Sequence, residues 1–496
     1  MLLLGGSNET YNNQKGSFQE LDHVSMLAPH SKYSTRPGSV DDIPRLLRDA
    51  YRTAYFGRPG ASFLDLPADF LRGPGPADGD LKEVHALPEP PKPAGDENQI
   101  AKAAAVLRNA KAPLVVIGKG AAYARAESEV REFVNATGIP FLPSPMGKGV
   151  VPDSHPSNVS SARSAAMKGT DVVLMLGSRL NWIMSFGEHP KWNLDAKIIQ
   201  VDISAEEIGK NAGAAELGII GDIKIVVPQL LRHLNRWRWN GAGSSFQKQL
   251  KAAKDRNEAT ATVLAQKELV PLSYERAFEV IKRTLHSLSP AEEGAICYVS
   301  EGSNTMDISR SIFPLEHPRL KLDAGSYGTM GIGLGYAIAA HEAYNGSNAR
   351  ASSGPTKRKK IVCLEGDSGF GFSGMEVETM ARHKMDILIF VINNGGIYSG
   401  DSSSEAEWKE RQQRTANGEL GSDSLRSSTL GWEVKYEKLA EAVGGKGYFV
   451  RTSDELAQAA KEGFLADVPV IVNVIIESIW KGPIVSQIIL THLNAR

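Results

Sequence analysis

The sequence predicts an α/β protein made of three parallel-sheet domains, and three observations carry that expectation. The chain has 496 residues, too long for one hydrophobic core at about 150 residues per domain. Short apolar runs alternate with amphipathic stretches, the pattern of strands returned parallel by helical crossovers. Its 48 glycines suit the many tight strand-to-helix turns of such a fold.

The first block covers residues 1–72. Ile43, Leu46, Leu47, Ala50, Tyr51 and Ala54 follow the i, i+3, i+4 spacing of one helix face over 40–55. Ser39 is placed to cap that helix, with Asp41 and Asp42 in the first turn. Gly57-Arg58-Pro59-Gly60 then breaks it, and Ala61–Leu66 reads as a strand. The opening Met1-Leu2-Leu3-Leu4-Gly5-Gly6 is too short for a signal-peptide core. It reads as the second half of a buried strand ending in a glycine turn.

Residues 73–98 are rich in proline, glycine and charge and read as a linker. The second block, 99–235, alternates a helix near 99–109, strand Leu114–Ile117, a helix near 124–137, and strands Val172–Leu176 and Lys197–Val201. Residues 236–270 are polar and helix-prone, a surface helical connector. The third block, 271–480, repeats the theme with strands at Ile296–Val299, Lys360–Leu364, Ile387–Ile392 and Val470–Ile475, and residues 481–496 form a tail.

Charge is balanced, with 56 basic against 57 acidic residues. Bulk charge therefore favours neither a nucleic acid nor a membrane surface as partner. An anionic ligand must be held by local groups. No apolar run approaches the roughly 20 residues of a spanning helix. Cys297 and Cys363 lie in apolar runs and are expected to be buried. They offer no disulfide framework or zinc spacing, which fits a reducing, cytoplasmic setting.

The chemistry concentrates in residues 366–394. A strand ends in Gly366-Asp367-Ser368, a helix follows, and a second apolar strand ends in Asn393-Asn394-Gly395-Gly396, with 24 residues between Ser368 and Asn393. A βαβ unit returns the second strand parallel to the first, so Asp367 and Asn394 should stand at one sheet edge. Both offer oxygen, the donor a hard Mg²⁺ prefers beside a diphosphate. The glycines allow close backbone approach, and the helix start adds positive partial charge.

This pairing resembles the thiamine-diphosphate (ThDP) fingerprint, and the resemblance extends over nearly the whole chain. It implies three domains: pyrimidine-binding (the first, incomplete here), central nucleotide-binding and diphosphate-binding. Residues 325–340 (GSYGTMGIGLGYAIAA) look like the segment holding the aminopyrimidine. There the Gly328 carbonyl would accept from the amino group and Met330 would wedge under the bend. SEGSNTMD (300–307) resembles the loop on the diphosphate, with Ser303 and Asn304 as contacts. Gly366, Asp367, Ser368, Asn394, Gly396 and Ile397 match cofactor-binding positions. Asp367, Asn394 and the Gly396 carbonyl match the Mg²⁺ ligands, and Tyr398 and Gln19 match active-site positions.

Among ThDP enzymes the chain is similar to 2-hydroxyacyl-CoA lyases. Phe18-Gln19 is the lyase pair, where oxalyl-CoA decarboxylases carry Tyr-Glu. The implied reaction cleaves 2-hydroxyacyl-CoA, as in fatty acid α-oxidation, to formyl-CoA and an aldehyde shortened by one carbon. Oxalyl-CoA decarboxylation, carboligation of the acetohydroxyacid-synthase type and a non-catalytic ThDP-binding form stay open as alternatives. The middle domain is expected to take ADP or the CoA nucleotide through Arg58, Gly118, Lys119, Arg179, Asp202 and Ile223. Asp202 ends a strand, a suitable place for an acid to bind ribose hydroxyls. Arg163 and Arg310 are candidates for CoA phosphates. The family forms homodimers or homotetramers.

The resemblance also implies a cofactor-activating glutamate upstream of the residues present. Glu9 and Glu20 fall in segments that match other positions. The expectation is a shortened form. Some relatives are peroxisomal, but Asn494-Ala495-Arg496 is not a peroxisomal tripeptide.

Overall fold

Runs rich in Val, Ile and Leu fold here as strands covered on both faces, the arrangement of parallel sheets flanked by helices. The computed structural model describes residues 1–74, 84–346, 358–419 and 421–478. The tail at 481–496 and the 75–83 part of the linker lie outside the described residues. Within them every strand pairing of the three sheets is parallel.

The first sheet holds β1 (Leu2–Ser7), β2 (Tyr33–Thr35) and β3 (Ser62–Pro67) in the order β1-β3-β2. The second holds β4 (Pro113–Ile117), β5 (Phe141–Pro143), β6 (Val172–Leu176), β7 (Lys197–Asp202) and β8 (Gly218–Ile220), in the order β5-β4-β6-β7-β8. The third holds β9 (Ile296–Glu301), β10 (Lys321–Asp323), β11 (Lys360–Gly366), β12 (Leu388–Asn393), β13 (Lys446–Val450) and β14 (Val470–Ile475), in the order β10-β9-β11-β12-β14-β13. Every residue of β4, β6, β9, β11, β12 and β14 is buried. At about 1.5–3 kcal/mol per buried aliphatic side chain, these strands dominate the stability of the two larger sheets.

Strand order reverses beside β4 in the second sheet and beside β9 in the third. Each reversal opens a crevice outside the carboxyl ends of the strands, between β4 and β6 and between β9 and β11. Glycine pairs line both openings. A Cβ on Gly118 would lie 2.0 Å from the Gly177 carbonyl oxygen, and one on Gly302 would lie 2.9 Å from the Gly366 nitrogen.

Three sequence expectations need correction. β1 is an edge strand rather than a buried one: Leu3 is 44% and Leu4 51% exposed, because among the described residues β1 pairs only with β3. Ser39 does not cap the backbone of the first long helix. Its hydroxyl donates to Asp42 Oδ2 (3.3 Å), a 3-10 turn Val40–Asp42 intervenes, and the helix Ile43–Tyr55 carries Pro44 in its first turn, where a missing N–H costs nothing. The described part of the linker is not free. Gly95 exchanges hydrogen bonds with the Gln229 side chain (2.9 and 3.0 Å), the Pro93 carbonyl accepts from Asp222 N–H, and Glu89 to Lys92 form a wall of the middle crevice.

The connector folds as the helix Ser245–Gln266. It is capped by Ser244 and buries only Phe246, Leu250 and Ala253 along one stripe. The second and third blocks are joined directly. Asp153 N–H donates to the Leu315 carbonyl and Asp153 Oδ2 accepts from Leu315 N–H, each at 2.9 Å. Arg319 pairs with Glu127. Among the described residues no helix is long and apolar enough to cross a membrane.

Candidate functional site

β9, β11 and β12 lie side by side, so the turns that follow them share one edge of the third sheet. Asp367, 2% exposed, opens the helix Asp367–Ser373 after β11. Its Oδ1 accepts from Ser368 N–H (2.8 Å), and its Oδ2 accepts from Gly395 N–H (2.7 Å) and Gly396 N–H (3.2 Å) of the turn after β12. Burial pushes its carboxyl up to about 7, against the pull of these backbone donors. Gly396 is required sterically, since a Cβ there would meet the Ser399 oxygen at 2.7 Å.

Asn394 is tied from three sides. Its Nδ2 donates to the Tyr274 hydroxyl (3.2 Å) and to the Tyr398 carbonyl (3.0 Å), while its Oδ1 accepts from Gly396 N–H (3.2 Å). Asn304, in the turn after β9, donates to the same Tyr398 carbonyl (3.0 Å). Ser303 and Tyr398 both sit at positive φ, 35° and 66°, strained values for non-glycine residues. The structure thus brings together Ser303, Asn304, Gly366, Asp367, Ser368, Asn394, Gly396, Ile397 and Tyr398.

Metal fit follows from the donor set. Among the described residues no group of three or more His, Cys, Asp or Glu side chains is placed to hold an ion. The edge offers instead one buried carboxylate, one oriented amide oxygen and backbone carbonyls. A hard cation that takes its remaining ligands from a diphosphate and water suits such a set.

The loop 324–332, after β10, reaches the same edge. Gly331 N–H (2.8 Å) and Gly333 N–H donate to the two oxygens of Glu301, and Gly331 packs on Phe372. Gly328, with φ 62°, and the half-buried Met330 project from this loop. Glu301 stands in register with Glu365 on β11, both fully buried. Burial, and then the neighbouring Glu301, hold the Glu365 carboxyl well above the usual carboxylate range.

The crevice of the middle sheet is a cleft of about 540 Å³. Arg58, Lys119, Arg179, Asp202 and Ile223 line it, and Gly118 shapes its floor against Gly177. Arg58 pairs with Glu207 at 2.7 Å. Desolvation, and then the cations Arg179 and Arg58, lower the Lys119 ammonium pKa. Burial raises the Asp202 carboxyl, whose Oδ1 accepts from Ser204 N–H (2.9 Å). Asp323, Gly325 and Ser326 close the far end, so the cleft runs from the middle sheet to the base of the loop bearing Gly328 and Met330.

Other expected residues lie elsewhere. Gln19 is exposed at φ 57°, and no hydrogen bond among the described residues joins it to the third-sheet turns. Arg163 and Arg310 are not among the residues lining this cleft. Arg163 Nη2 donates to the Ile183 carbonyl (2.5 Å), and burial, then the nearby Arg310, lower its guanidinium to about 10. Arg310 pairs with Asp307 (2.5 Å) and Asp323 (3.0 Å) at the joint between the blocks. Glu20 accepts from Gly16 and Ser17 N–H, and Glu9 pairs with Arg72 at 3.4 Å, so both acids are engaged locally. Sequence reasoning does not reach Tyr274, Glu301 or Ser326, because each meets its partner across a long stretch of chain.

Comparison with known proteins matches two family descriptions: "Thiamine pyrophosphate enzyme, central domain" over residues 100–230 and "Thiamine pyrophosphate enzyme, C-terminal TPP binding domain" over 301–474. The chain is 41% identical to 2-hydroxyacyl-CoA lyase 1 of Homo sapiens over 482 residues, covering 96% of this chain and 79% of the relative. It is 34% identical to oxalyl-CoA decarboxylase of Escherichia coli K12 over 481 residues, covering 96% and 79%. In fold it is similar to benzoylformate decarboxylase from Polynucleobacter necessarius, with a TM-score of 0.71, 18% identity, and coverage of 97% of this chain and 83% of that one.

Proposed function

The chain belongs to the thiamine pyrophosphate enzyme family, in the group of the 2-hydroxyacyl-CoA lyases and oxalyl-CoA decarboxylase, and from that premise we propose that it cleaves a 2-hydroxyacyl-CoA to formyl-CoA and an aldehyde one carbon shorter. What supports this reading is the meeting of Asp367, Asn394 and Gly396 at one sheet edge, with the loop bearing Gly328 and Met330 held to Glu301 of the same edge, beside a cation-lined cleft.

In this reading Asp367, Asn394 Oδ1 and the Gly396 carbonyl hold Mg²⁺. Ser303, Asn304, Gly366, Ser368 and Ile397 surround the diphosphate. Gly328 would accept from the aminopyrimidine and Met330 would pack against the cofactor. Bound ThDP supplies a carbon nucleophile and a sink for the electron pair of the breaking carbon–carbon bond. The chain's own residues hold these parts in place and exclude water from them. The C1–C2 bond of the substrate breaks. C2 leaves as the aldehyde, the hydroxyl proton is given up, and C1 gains hydrogen to become formyl-CoA, so the atoms balance. Tyr398 lies at the rim of the edge. Gln19 serves in the site of an assembled homodimer or homotetramer, where a second copy brings a first block to this edge.

The cleft takes ADP or the adenosine diphosphate portion of CoA. Arg58, Lys119 and Arg179 face the phosphates, Asp202 binds ribose hydroxyls, and Gly118 and Ile223 line the bed. Three cations around one crevice support this reading, since each phosphate group carries negative charge.

The test is product analysis with ThDP and Mg²⁺ present. Formyl-CoA and aldehyde from 2-hydroxyacyl-CoA support the lyase. Carbon dioxide from oxalyl-CoA without cleavage of 2-hydroxyacyl-CoA assigns the decarboxylase reaction. ThDP binding with neither turnover assigns a non-catalytic form.

A further inference from the structure

Three donors of the middle block converge on one residue of the cofactor loop. Arg179 Nη2 donates to the Ser326 hydroxyl oxygen at 3.0 Å, and Asn181 Nδ2 donates to the same oxygen at 2.9 Å. Trp182 Nε1 donates to the Ser326 carbonyl at 2.5 Å. The segment 325–340 that contains Ser326 does not show these partners, which it meets across about 145 residues of chain.

The loop needs an outside anchor. Gly325, Gly328 and Gly331 all adopt positive φ, 59°, 62° and 83°. Glycines at such angles leave the backbone free to move elsewhere. The far end is fixed where Glu301 accepts from Gly331 and Gly333. The near end is fixed where Asp323 Oδ1 accepts from Gly325 N–H (2.9 Å). Between them Tyr327 is 97% exposed, and Gly328 N–H reaches back to the Ala324 carbonyl (3.2 Å). Ser326 is the point at which another block holds this span.

We propose that Ser326 is a positioning residue through which the middle block sets the place of Gly328 and Met330. The proposal rests on the reading above, that the loop faces the cofactor. Arg179 and Asn181 hold the Ser326 side chain and Trp182 holds its carbonyl, so the span between the glycines is ordered before the cofactor binds and the ordering cost is met in advance.

The experiment is calorimetric titration of the full chain with ThDP in excess Mg²⁺. Native protein is compared with Ser326→Ala, Ser326→Thr, Trp182→Phe and Met330→Ala, each checked by thermal unfolding. Loss of an acceptor for a charged donor makes Ser326→Ala bind ThDP about tenfold more weakly. Ser326→Thr keeps the hydroxyl and binds ThDP with native affinity. Trp182→Phe, an independent cut of the same tether, weakens ThDP binding several-fold if Ser326→Ala does not fold. Native ThDP affinity in the folded Ser326→Ala or Trp182→Phe protein overturns the positioning role alone. Native ThDP affinity in Met330→Ala overturns the underlying reading and the positioning role with it.

Discussion

The Asn394 side-chain amide donates to the Tyr274 hydroxyl across 3.2 Å, 120 residues back along the chain. With the Tyr398 carbonyl taking the other Nδ2 hydrogen, the amide has one orientation, and its oxygen faces the turn shared with Asp367. In the proposed function Tyr274 would therefore act on a metal ligand without touching metal, in the manner of outer-sphere partners.

Removing that hydroxyl should loosen the amide and leave the fold intact. Tyr274→Phe is expected to raise the Mg²⁺ concentration needed for ThDP binding by roughly fivefold, the worth of about one neutral hydrogen bond. A Mg²⁺ titration of ThDP binding reads this. An unchanged Mg²⁺ midpoint would show that Asn394 is held by Tyr398 and Gly396 alone.

Lys119 makes the cleft pH-dependent. Its ammonium pKa is lowered, first by desolvation and then by Arg179 and Arg58. A lysine is charged below its pKa, so ADP affinity should fall as pH rises through that lowered value. Lys119→Arg stays charged throughout and should bind ADP with a flat profile over the same range. Parallel falls in both proteins would place the titrating group elsewhere.

Lys321 makes stability pH-dependent. Burial lowers its pKa from 10.5 to about 7, with its Nζ donating to the Ser300 hydroxyl at 3.1 Å. Between these values the unfolded chain binds a proton that the folded chain does not, so stability rises with pH across that window. The penalty is fully present below pH 7. Lys321→Met removes the titration. Relative to this variant, the native protein should gain thermal stability on going from pH 7 to pH 10. A constant difference between the two would contradict the assignment.

Much of this architecture is legible in the sequence where a signal is local. Asp367 and Asn394 belong to one βαβ unit, so the spacing of 24 residues between Ser368 and Asn393 is enough to place both strand ends at the same edge. Long apolar strands such as β6 and β14 show their bounds in the sequence, because five or six buried residues in a row leave little choice. The three-residue strands β2, β5, β8 and β10 carry no period to detect. The sequence of β1 misleads because three successive leucines look buried, whereas exposure depends on what pairs at the sheet edge. The partners of Arg163 and Arg310 are not legible in the sequence, because a guanidinium suits a carboxylate or a carbonyl as well as a phosphate and only packing shows which protein group it meets. Tyr274, Glu301 and Ser326 gain their roles from contacts that the fold creates and that no local pattern foretells.

The most direct test of the central claim is formyl-CoA release from a 2-hydroxyacyl-CoA, measured with ThDP and Mg²⁺ on the native protein and on Asp367→Ala. The account predicts formyl-CoA and the shortened aldehyde in equal amounts from the native chain. It predicts loss of at least two orders of magnitude in metal-dependent ThDP binding and turnover in folded Asp367→Ala, beyond the roughly 10–100-fold cost of an outer-sphere change. Equal turnover by the two proteins, or ThDP bound by the native chain without any release of formyl-CoA, would contradict it.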